Sequence, residues 1–368
     1  MARTILIAAG GTGGHLFPGV AVADELVRRD SATRVVFVGT PRGLESRLVP
    51  RAGYDLELLP IKPLNAVGAW RLLLGLAALP WAMLRAFGLL VRLRPAAVLG
   101  VGGYAGGPVA LLAALLGVRT VILEPNARPG FTNRVLRPFV RAAACAYEET
   151  RAAFGKKGVV TGNPVRGGFA GLPRRDHRHP LTLLTFGGSQ GSQVLNRALV
   201  AALPHLPGPE RLRIVHQTGE RMHGEVSTAH AASGRGSSTE VVAFLDDMEE
   251  RMAEADLVLS RSGATTCAEL TVGGRAAILV PFAQAADDHQ RGNAKALHDA
   301  GAARVIEERE LTGEALAREL TALVDEPGRI RAMGDAARAL GRPDAAARVS
   351  DLVLGQSGDG VETEAARC

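Results

Sequence analysis

The residues best suited to chemistry lie in three glycine-rich turns. The first, AAGGTGGHLFPG over residues 8–19, directly follows the apolar run Thr4-Ile5-Leu6-Ile7 and carries a histidine. The second, GGYAGGP (Gly102 to Pro108), follows AAVLGV, and the third, GGSQGS (Gly187 to Ser192), follows LTLLTF. Glycine lets the backbone take positive φ and come close to a ligand, and a helix starting after such a turn aims its free N–H groups at it, which makes an anion site. Each turn alone also fits an ordinary strand-to-helix connection. Taken jointly, two in the first half and one in the second, they suit two diphosphate-bearing substrates better than one.

A nicotinamide cofactor would need a carboxylate about 20 residues further on, at the end of the second strand, to hold the ribose. Here that strand, RVVFVG, ends in Gly39-Thr40-Pro41, and the turn reads GGTGG rather than GxGxxG. A dehydrogenase is therefore not expected. His15 follows the first turn, where a helix N-terminus disfavours the protonated ring and a neutral imidazole can take a proton from an attacking hydroxyl. It could equally serve only to cap that helix. Two acidic pairs, Asp246-Asp247 and Asp287-Asp288, invite a metal reading, but the first reads as a helix N-cap before Met248 and Glu249.

These residues need a scaffold, and the chain alternates Val/Ile-rich runs with stretches of helical period: TILIAA then PGVAVADELVRR, RVVFVG then PRGLESRLVPRAG, AAVLGVGG then GGPVALLAALLG, RTVILEPN then RPGFTNRVLRPF. That is the pattern of a parallel sheet covered on both faces. TGNPVRGG, at about Thr161 to Arg166, interrupts it as an interdomain crossing would, and the pattern restarts at LTLLTFGG, LRIVHQTG, TEVVAFL, DLVLSRSG and AAILVPF. At 368 residues with 47% hydrophobic content, the chain can bury two cores. The expected domains are residues 1–162, joined by a C-terminal helix at about 340–354, and residues 163–339; the polar tail 355–368 has no period and is expected to be disordered.

Charge is uneven. Residues 1–162 hold 20 Lys and Arg against 9 Asp and Glu, a balance of +11, whereas residues 163–368 hold 23 against 28, a balance of −5. One half thus suits an anionic surface or ligand. Nucleic acid is not the expected partner, because only 4% of residues are aromatic and no binding signature is present. Cys145, Cys267 and Cys368 have no ligand or disulfide spacing, and MARTILIAAGG is too short in apolar length for a signal peptide, so a cytoplasmic setting is expected. The most apolar stretch, Leu64 to Pro95, is interrupted by Gly75, Pro80, Arg85 and Gly88, which argues against a membrane span. Read as an amphipathic pair of helices, it offers Trp70, Leu73, Trp81, Leu84, Arg85 and Phe87 to a lipid interface, where anionic head groups would attract the basic half; packing on the sheet is the other reading and does not exclude the first.

GGTGGHLFPGVAVA, GGYAGGP, ILEPNARPGFTNR, TGNPVR, FGGSQGSQVLN, FLDDM, SRSGATTCAEL and PFAQAADDHQRGNA occur in an order that resembles the MurG family of peptidoglycan N-acetylglucosaminyltransferases, over about residues 3–350. The resemblance implies the GT-B fold, an α/β architecture of two doubly wound Rossmann-like domains with a deep interdomain cleft. It implies transfer of N-acetylglucosamine from UDP-N-acetylglucosamine to the 4-hydroxyl of the muramyl unit of lipid I, giving lipid II. The residue-level implications are His15 as base; Thr12, Gly13, Gly14, Asn126, Arg166, Ser189, Leu245, Ala264, Thr265, Thr266, Cys267, Ala268, Glu269 and Gln290 at the donor; and Gly11, Gly103, Tyr104 and Gly106 at the acceptor pyrophosphate. Within these, Glu269 would hold the ribose hydroxyls, the backbone of Leu245 the uracil edge, and Asn126 and Gln290 the sugar. LEPN departs from the HEQN common in the family, so Leu123 and Pro125 cannot act as the histidine and glutamine would, while Glu124 and Asn126 remain.

Inversion from an α-linked donor to a β-linkage needs one base and no covalent intermediate. The charge developing on UDP could be met by Ser189 and the backbone of Gly188 to Gly191 at a helix start, so no metal or other cofactor is required. The implied location is the cytoplasmic face of the inner membrane, held peripherally, with cell-wall synthesis and division proteins as partners. The rival readings are a UDP-N-acetylglucosamine 2-epimerase and a non-catalytic sugar-nucleotide-binding membrane subunit.

Overall fold

In the computed structural model, residues 3–10, 13–41, 43, 45–59 and 69–356 are described. The chain divides into two compact units, one of residues 1–166 with 342–368 and one of residues 167–341.

The first unit is built on a seven-stranded, all-parallel sheet: β1 (Thr4–Ala9), β2 (Arg34–Gly39), β3 (Asp55–Leu58), β4 (Ala97–Gly102), β5 (Arg119–Glu124), β6 (Ala142–Cys145) and β7 (Gly158–Val160), in the order β3-β2-β1-β4-β5-β6-β7. Its central strands are apolar along their length because both faces are covered. Ile5 and Ile7 pack with Val22 and Leu26 on one side, while Leu6 and Ala8 pack with Ala86, Leu90 and Val109 on the other. The strand order reverses direction between β1 and β4, and this switch point is where parallel sheets hold their ligands.

The C-terminal helix Ala345–Leu354 belongs to this unit. Its Val349 and Val353 join the core of Ile5, Ile7 and Leu26, Arg29 pairs with Asp351, and Arg119 Nε donates to the Leu352 carbonyl at 2.9 Å. Gly355, at φ 76°, caps it. Of the tail 355–368, residues 357–368 lie outside the described residues.

The second unit repeats the plan with β8 (Leu181–Phe186), β9 (Leu212–Gln217), β10 (Thr239–Val242), β11 (Leu257–Ser260), β12 (Ala276–Leu279) and β13 (Ala303–Val305), ordered β10-β9-β8-β11-β12-β13 and all parallel. Its switch point falls between β8 and β11. Leu181, Leu183, Leu257, Leu259 and Ile278 form its core with Leu316, Leu320 and Leu323 of helix Gly313–Asp325, whose N-cap Thr312 accepts from Ala315 N–H at 3.1 Å.

Four strands, β3, β6, β7 and β13, were not apparent in the alternation of apolar runs. All are three or four residues long, β3 reads DLEL and β6 AAAC, and too few apolar side chains mark any of them as buried extended chain. The apolar stretch after Leu64 also differs from the expected pair of helices. From Ala69 it forms one continuous helix to Leu93, while residues 64–68 lie outside the described residues. Ala82, Ala86, Leu89 and Leu90 are buried, leaving Trp81, Leu84, Phe87 and Val91 on the solvent side with exposures of 43 to 60%. Arg85 lies over the Trp81 ring at 5.2 Å. Trp70 and Leu73 are in the helix, but their side chains are outside what is described. Among the described residues no helix is long and apolar enough to cross a membrane.

Candidate active site

In the first unit, the turns after β1 and β4 meet backbone to backbone at the switch point. Gly102 and Gly103 have φ of 103° and 78°, and a Cβ on Gly103 would overlap the Gly10 carbonyl, lying 3.0 Å from its carbon and nearer still to its oxygen. Only glycine fits there. Gly106 is buried in helix Gly103–Leu115, where a Cβ would come within 2.8 Å of the Ala8 carbonyl oxygen, so its place is in close helix–strand packing. Tyr104 opens the same helix, and its side chain is outside what is described.

His15 stands in the first turn of helix Gly13–Arg29, with Gly14 exposed beside it. The helix thus begins within the glycine turn itself, ahead of the stretch PGVAVADELVRR. The His15 ring is half-buried against Gly102, whose Cβ, if present, would lie 2.8 Å from the ring Cδ2 and 3.1 Å from Nε2. Two residues on, the Phe17 ring carries the guanidinium of Arg166 at 4.7 Å from its centre. Gly11 and Thr12 lie outside the described residues.

The loop after β5 is organised by Glu124, which is almost fully buried. Its carboxylate accepts from Asn133 Nδ2 at 2.8 Å, Gly130 N–H at 2.9 Å, Asn126 N–H at 3.2 Å and Asn126 Nδ2 at 3.3 Å. Burial pushes this carboxyl above the ordinary range, and these donors pull it back. Thr150 Oγ1 donates to the Asn126 carbonyl at 2.7 Å, so Asn126 is held from both sides. Leu123 is wholly buried in the core.

The end of β2 holds a group that the sequence reading missed. Glu45, buried, accepts from Thr40 N–H at 2.8 Å and Thr40 Oγ1 at 2.9 Å. A carboxylate does therefore close this strand, but it accepts from the backbone N–H and the hydroxyl of Thr40. Its position six residues beyond Gly39, across a turn, hid it from a spacing rule.

In the second unit, Ser192 caps helix Gln193–Ala202, accepting from Leu195 N–H at 3.4 Å and from Arg261 Nε at 3.2 Å. Gly188, at φ 87°, opens onto free space, and Ser189 is exposed. Arg261 ties three loops together, since its Nη1 also pairs with Glu308 at 2.7 Å and its guanidinium lies over the Phe282 ring at 5.4 Å. The only sign of it in the sequence is its place in SRSG at a strand end.

Helix Ala264–Gly273 starts from Gly263, which makes no side-chain capping bond. Ala264, Thr266 and Ala268 are partly exposed, whereas Thr265, Cys267 and Glu269 are buried, so Glu269 is not on a solvated face. Burial pushes the Cys267 thiol up to about 12. Gln290 accepts Phe282 N–H at 3.0 Å through Oε1, its carbonyl accepts Ser262 Oγ at 2.8 Å, and Asn293 Nδ2 donates to the Ser262 carbonyl at 3.1 Å. Leu245 packs its side chain inward.

Asp247 occupies the N-cap position of helix Met248–Glu254 but makes no capping bond, which corrects the expected role. Arg251 has taken its carboxylate at 2.7 Å while gripping Glu240 at 2.8 Å. Asp288 pairs with Arg291 at 3.0 Å. Among the described residues no three His, Cys, Asp or Glu side chains converge as metal ligands do.

Two Rossmann-like domains of this order, each with glycine turns at its switch point, define the GT-B fold class of nucleotide-sugar enzymes. Residues 5–145 match the glycosyltransferase family 28 N-terminal domain and residues 182–349 its C-terminal domain. A protein of Myxococcus xanthus (strain DK1622), named UDP-N-acetylglucosamine--N-acetylmuramyl-(pentapeptide) pyrophosphoryl-undecaprenol N-acetylglucosamine transferase, is 48% identical over 354 residues, 95% of this chain and 92% of its own. The crystal structure of MurG from Acinetobacter baumannii superposes with a TM-score of 0.78 at 33% identity, covering 96% of this chain and 99% of that one. A UDP-GlcNAc 2-epimerase from Neisseria meningitidis reaches a TM-score of 0.68 at 13% identity over 96% of this chain and 100% of its own, a likeness of fold alone. The chain belongs to glycosyltransferase family 28, in its MurG branch.

Proposed function

We propose that this protein carries out the reaction for which its relatives are named: N-acetylglucosamine passes from UDP-N-acetylglucosamine to the 4-hydroxyl of the muramyl unit of lipid I, giving lipid II for peptidoglycan. The observation that carries this is the 48% identity over 95% of the chain to a transferase so named. The epimerase alternative has only the shared fold behind it.

His15 is the base that takes the 4-hydroxyl proton as the anomeric carbon is attacked. Its half-buried ring at the meeting of the two glycine turns supports this role. Gly11, Gly103 and the start of helix Gly103–Leu115 hold the acceptor pyrophosphate with main-chain N–H groups. The loop Gly188 to Gly191 with Ser189 meets the charge developing on UDP, Glu269 holds the ribose, and the amides of Asn126 and Gln290 hold the sugar. This scheme uses no metal. The enzyme sits on the cytoplasmic face of the inner membrane, with Trp81, Leu84, Arg85 and Phe87 turned to lipid, beside proteins of wall synthesis and division; the exposed apolar face of helix Ala69–Leu93 supports the first part.

The test is turnover of UDP-N-acetylglucosamine with a short-chain lipid I analogue by His15→Ala, beside its affinity for UDP. Turnover should fall by about 10²–10⁴ with UDP binding kept, the range for losing a general base. Unchanged turnover would remove His15 from the chemistry, and transfer that proceeds equally well without the lipid acceptor would remove the acceptor.

A further inference from the structure

Behind the glycine loop of the second unit lies a buried polar chain that the scheme above does not use. His216 on β9 is 0% exposed, Asn196 on helix Gln193–Ala202 1% and His230 on helix His223–Ala232 2%. His230 Nε2 is 3.2 Å from His216 Nδ1, and His216 Nε2 is 3.1 Å from Asn196 Oδ1. Asn196 Nδ2 donates to the Thr218 carbonyl at 2.9 Å. That carbonyl is packed against the glycine loop: a Cβ on Gly191 would overlap its oxygen and lie 2.8 Å from Gly219 N, while one on Gly219 would lie 3.0 Å from Gly191 N.

The direction of the chain follows from its last link. Thr218 offers a carbonyl and can only accept, so the Asn196 amide must turn its nitrogen to Thr218 and its oxygen to His216. His216 then carries its proton on Nε2 and accepts at Nδ1 from His230 Nε2–H. The remaining His230 Nδ1 is a lone pair, and it has no partner among the described residues. A doubly protonated His216 would face His230 Nε2–H with a second donor, so the chain works with a neutral His216, as burial favours.

We propose that His216 and Asn196 are positioning residues that fix Thr218 and thereby hold the loop Gly188–Gly191 in the shape that grips the diphosphate of the nucleotide donor. Both side chains are too buried to touch a ligand, so they act through the Thr218–Gly219 backbone. The inference rests on the reading of this loop as the diphosphate site given under Proposed function.

The test compares UDP with uridine, each displacing a fluorescent UDP analogue, in three variants whose thermal melts are recorded alongside. Asn196→Asp is isosteric and removes the donor to Thr218, His216→Leu removes the donor to Asn196, and His216→Gln keeps an amide N–H for it. Asn196→Asp and His216→Leu should weaken UDP about tenfold or more, as expected for a buried carbonyl or amide left unpaired, with uridine unchanged. They should raise KM for the sugar nucleotide and lower kcat as well, because the same loop meets the charge developing on UDP, and His216→Gln should recover most of both losses. Equal weakening of UDP and uridine, or unchanged UDP affinity, overturns the proposal. Should His216→Leu fail to fold, Asn196→Asp and His216→Gln decide by the same criteria. A wild-type protein that binds UDP no tighter than uridine would instead refute the diphosphate reading of the loop itself.

Discussion

Gly103 and Gly117 form a natural pair for testing how the first unit brings its two glycine turns together. Both sit at φ 78°, yet a Cβ at Gly117 meets nothing within 4 Å whereas one at Gly103 runs into the Gly10 carbonyl. Replacing either by alanine places a side chain in the left-handed region, at a cost of about 1–2 kcal/mol. For Gly117→Ala that is the whole effect. For Gly103→Ala, the new carbon must also regain an ordinary separation of about 3.3 Å from a carbonyl oxygen, so the turns after β1 and β4 have to part by about 1 Å. Overpacking of this kind adds about 1–3 kcal/mol, and about 1 Å of misplacement beside the reacting groups costs on the order of 10² in rate. Urea denaturation and turnover with the lipid I analogue, run on both variants, separate the two effects. Gly117→Ala should lose about 1–2 kcal/mol and keep full turnover; Gly103→Ala should lose about 2–5 kcal/mol and nearly all turnover while binding UDP normally. If the two variants matched in stability and in rate, the close approach of the turns would carry no weight.

Two further expectations concern pH and the membrane. Burial holds His216 at about 3 and His230 at about 4, with Arg235 adding to the effect on His230, whereas an unfolded histidine takes its proton near 6.5. Stability is therefore full above about pH 6.5 and falls below it, because the unfolded chain binds protons that the native one refuses, with a slope approaching about 2.7 kcal/mol per pH unit for two such residues. Glu124, raised by burial, works in the opposite direction, so the informative quantity is the difference between wild type and His230→Gln in denaturant midpoints from pH 7 to 5. A variant with the same pH slope as wild type would contradict the buried-neutral assignment. On helix Ala69–Leu93, replacing Trp81, Leu84 and Phe87 together by serine should weaken cosedimentation with vesicles of anionic lipid at least tenfold, since each half-exposed apolar side chain contributes about 1 kcal/mol on insertion; undiminished sedimentation would place the lipid contact elsewhere.

The sequence by itself determined the alternation of apolar strands and covering helices, the break at TGNPVR, and the three glycine turns with His15 beside the first. These are local properties: a strand buried on both faces must be apolar along its length, and a turn with positive φ next to a helix start favours glycine. Tertiary structure decided what depends on residues far apart in the chain. The same φ makes Gly103 indispensable and Gly117 replaceable because only one of them has the carbonyl of another turn against it. Arg261 joins Ser192 to Glu308, and His216 meets Asn196 and His230, only after the sheet has formed. Strands as short as Asp55–Leu58 and Gly158–Val160 exist because a neighbour offers its free N–H and C=O groups for pairing, and no periodicity within three or four residues can announce that.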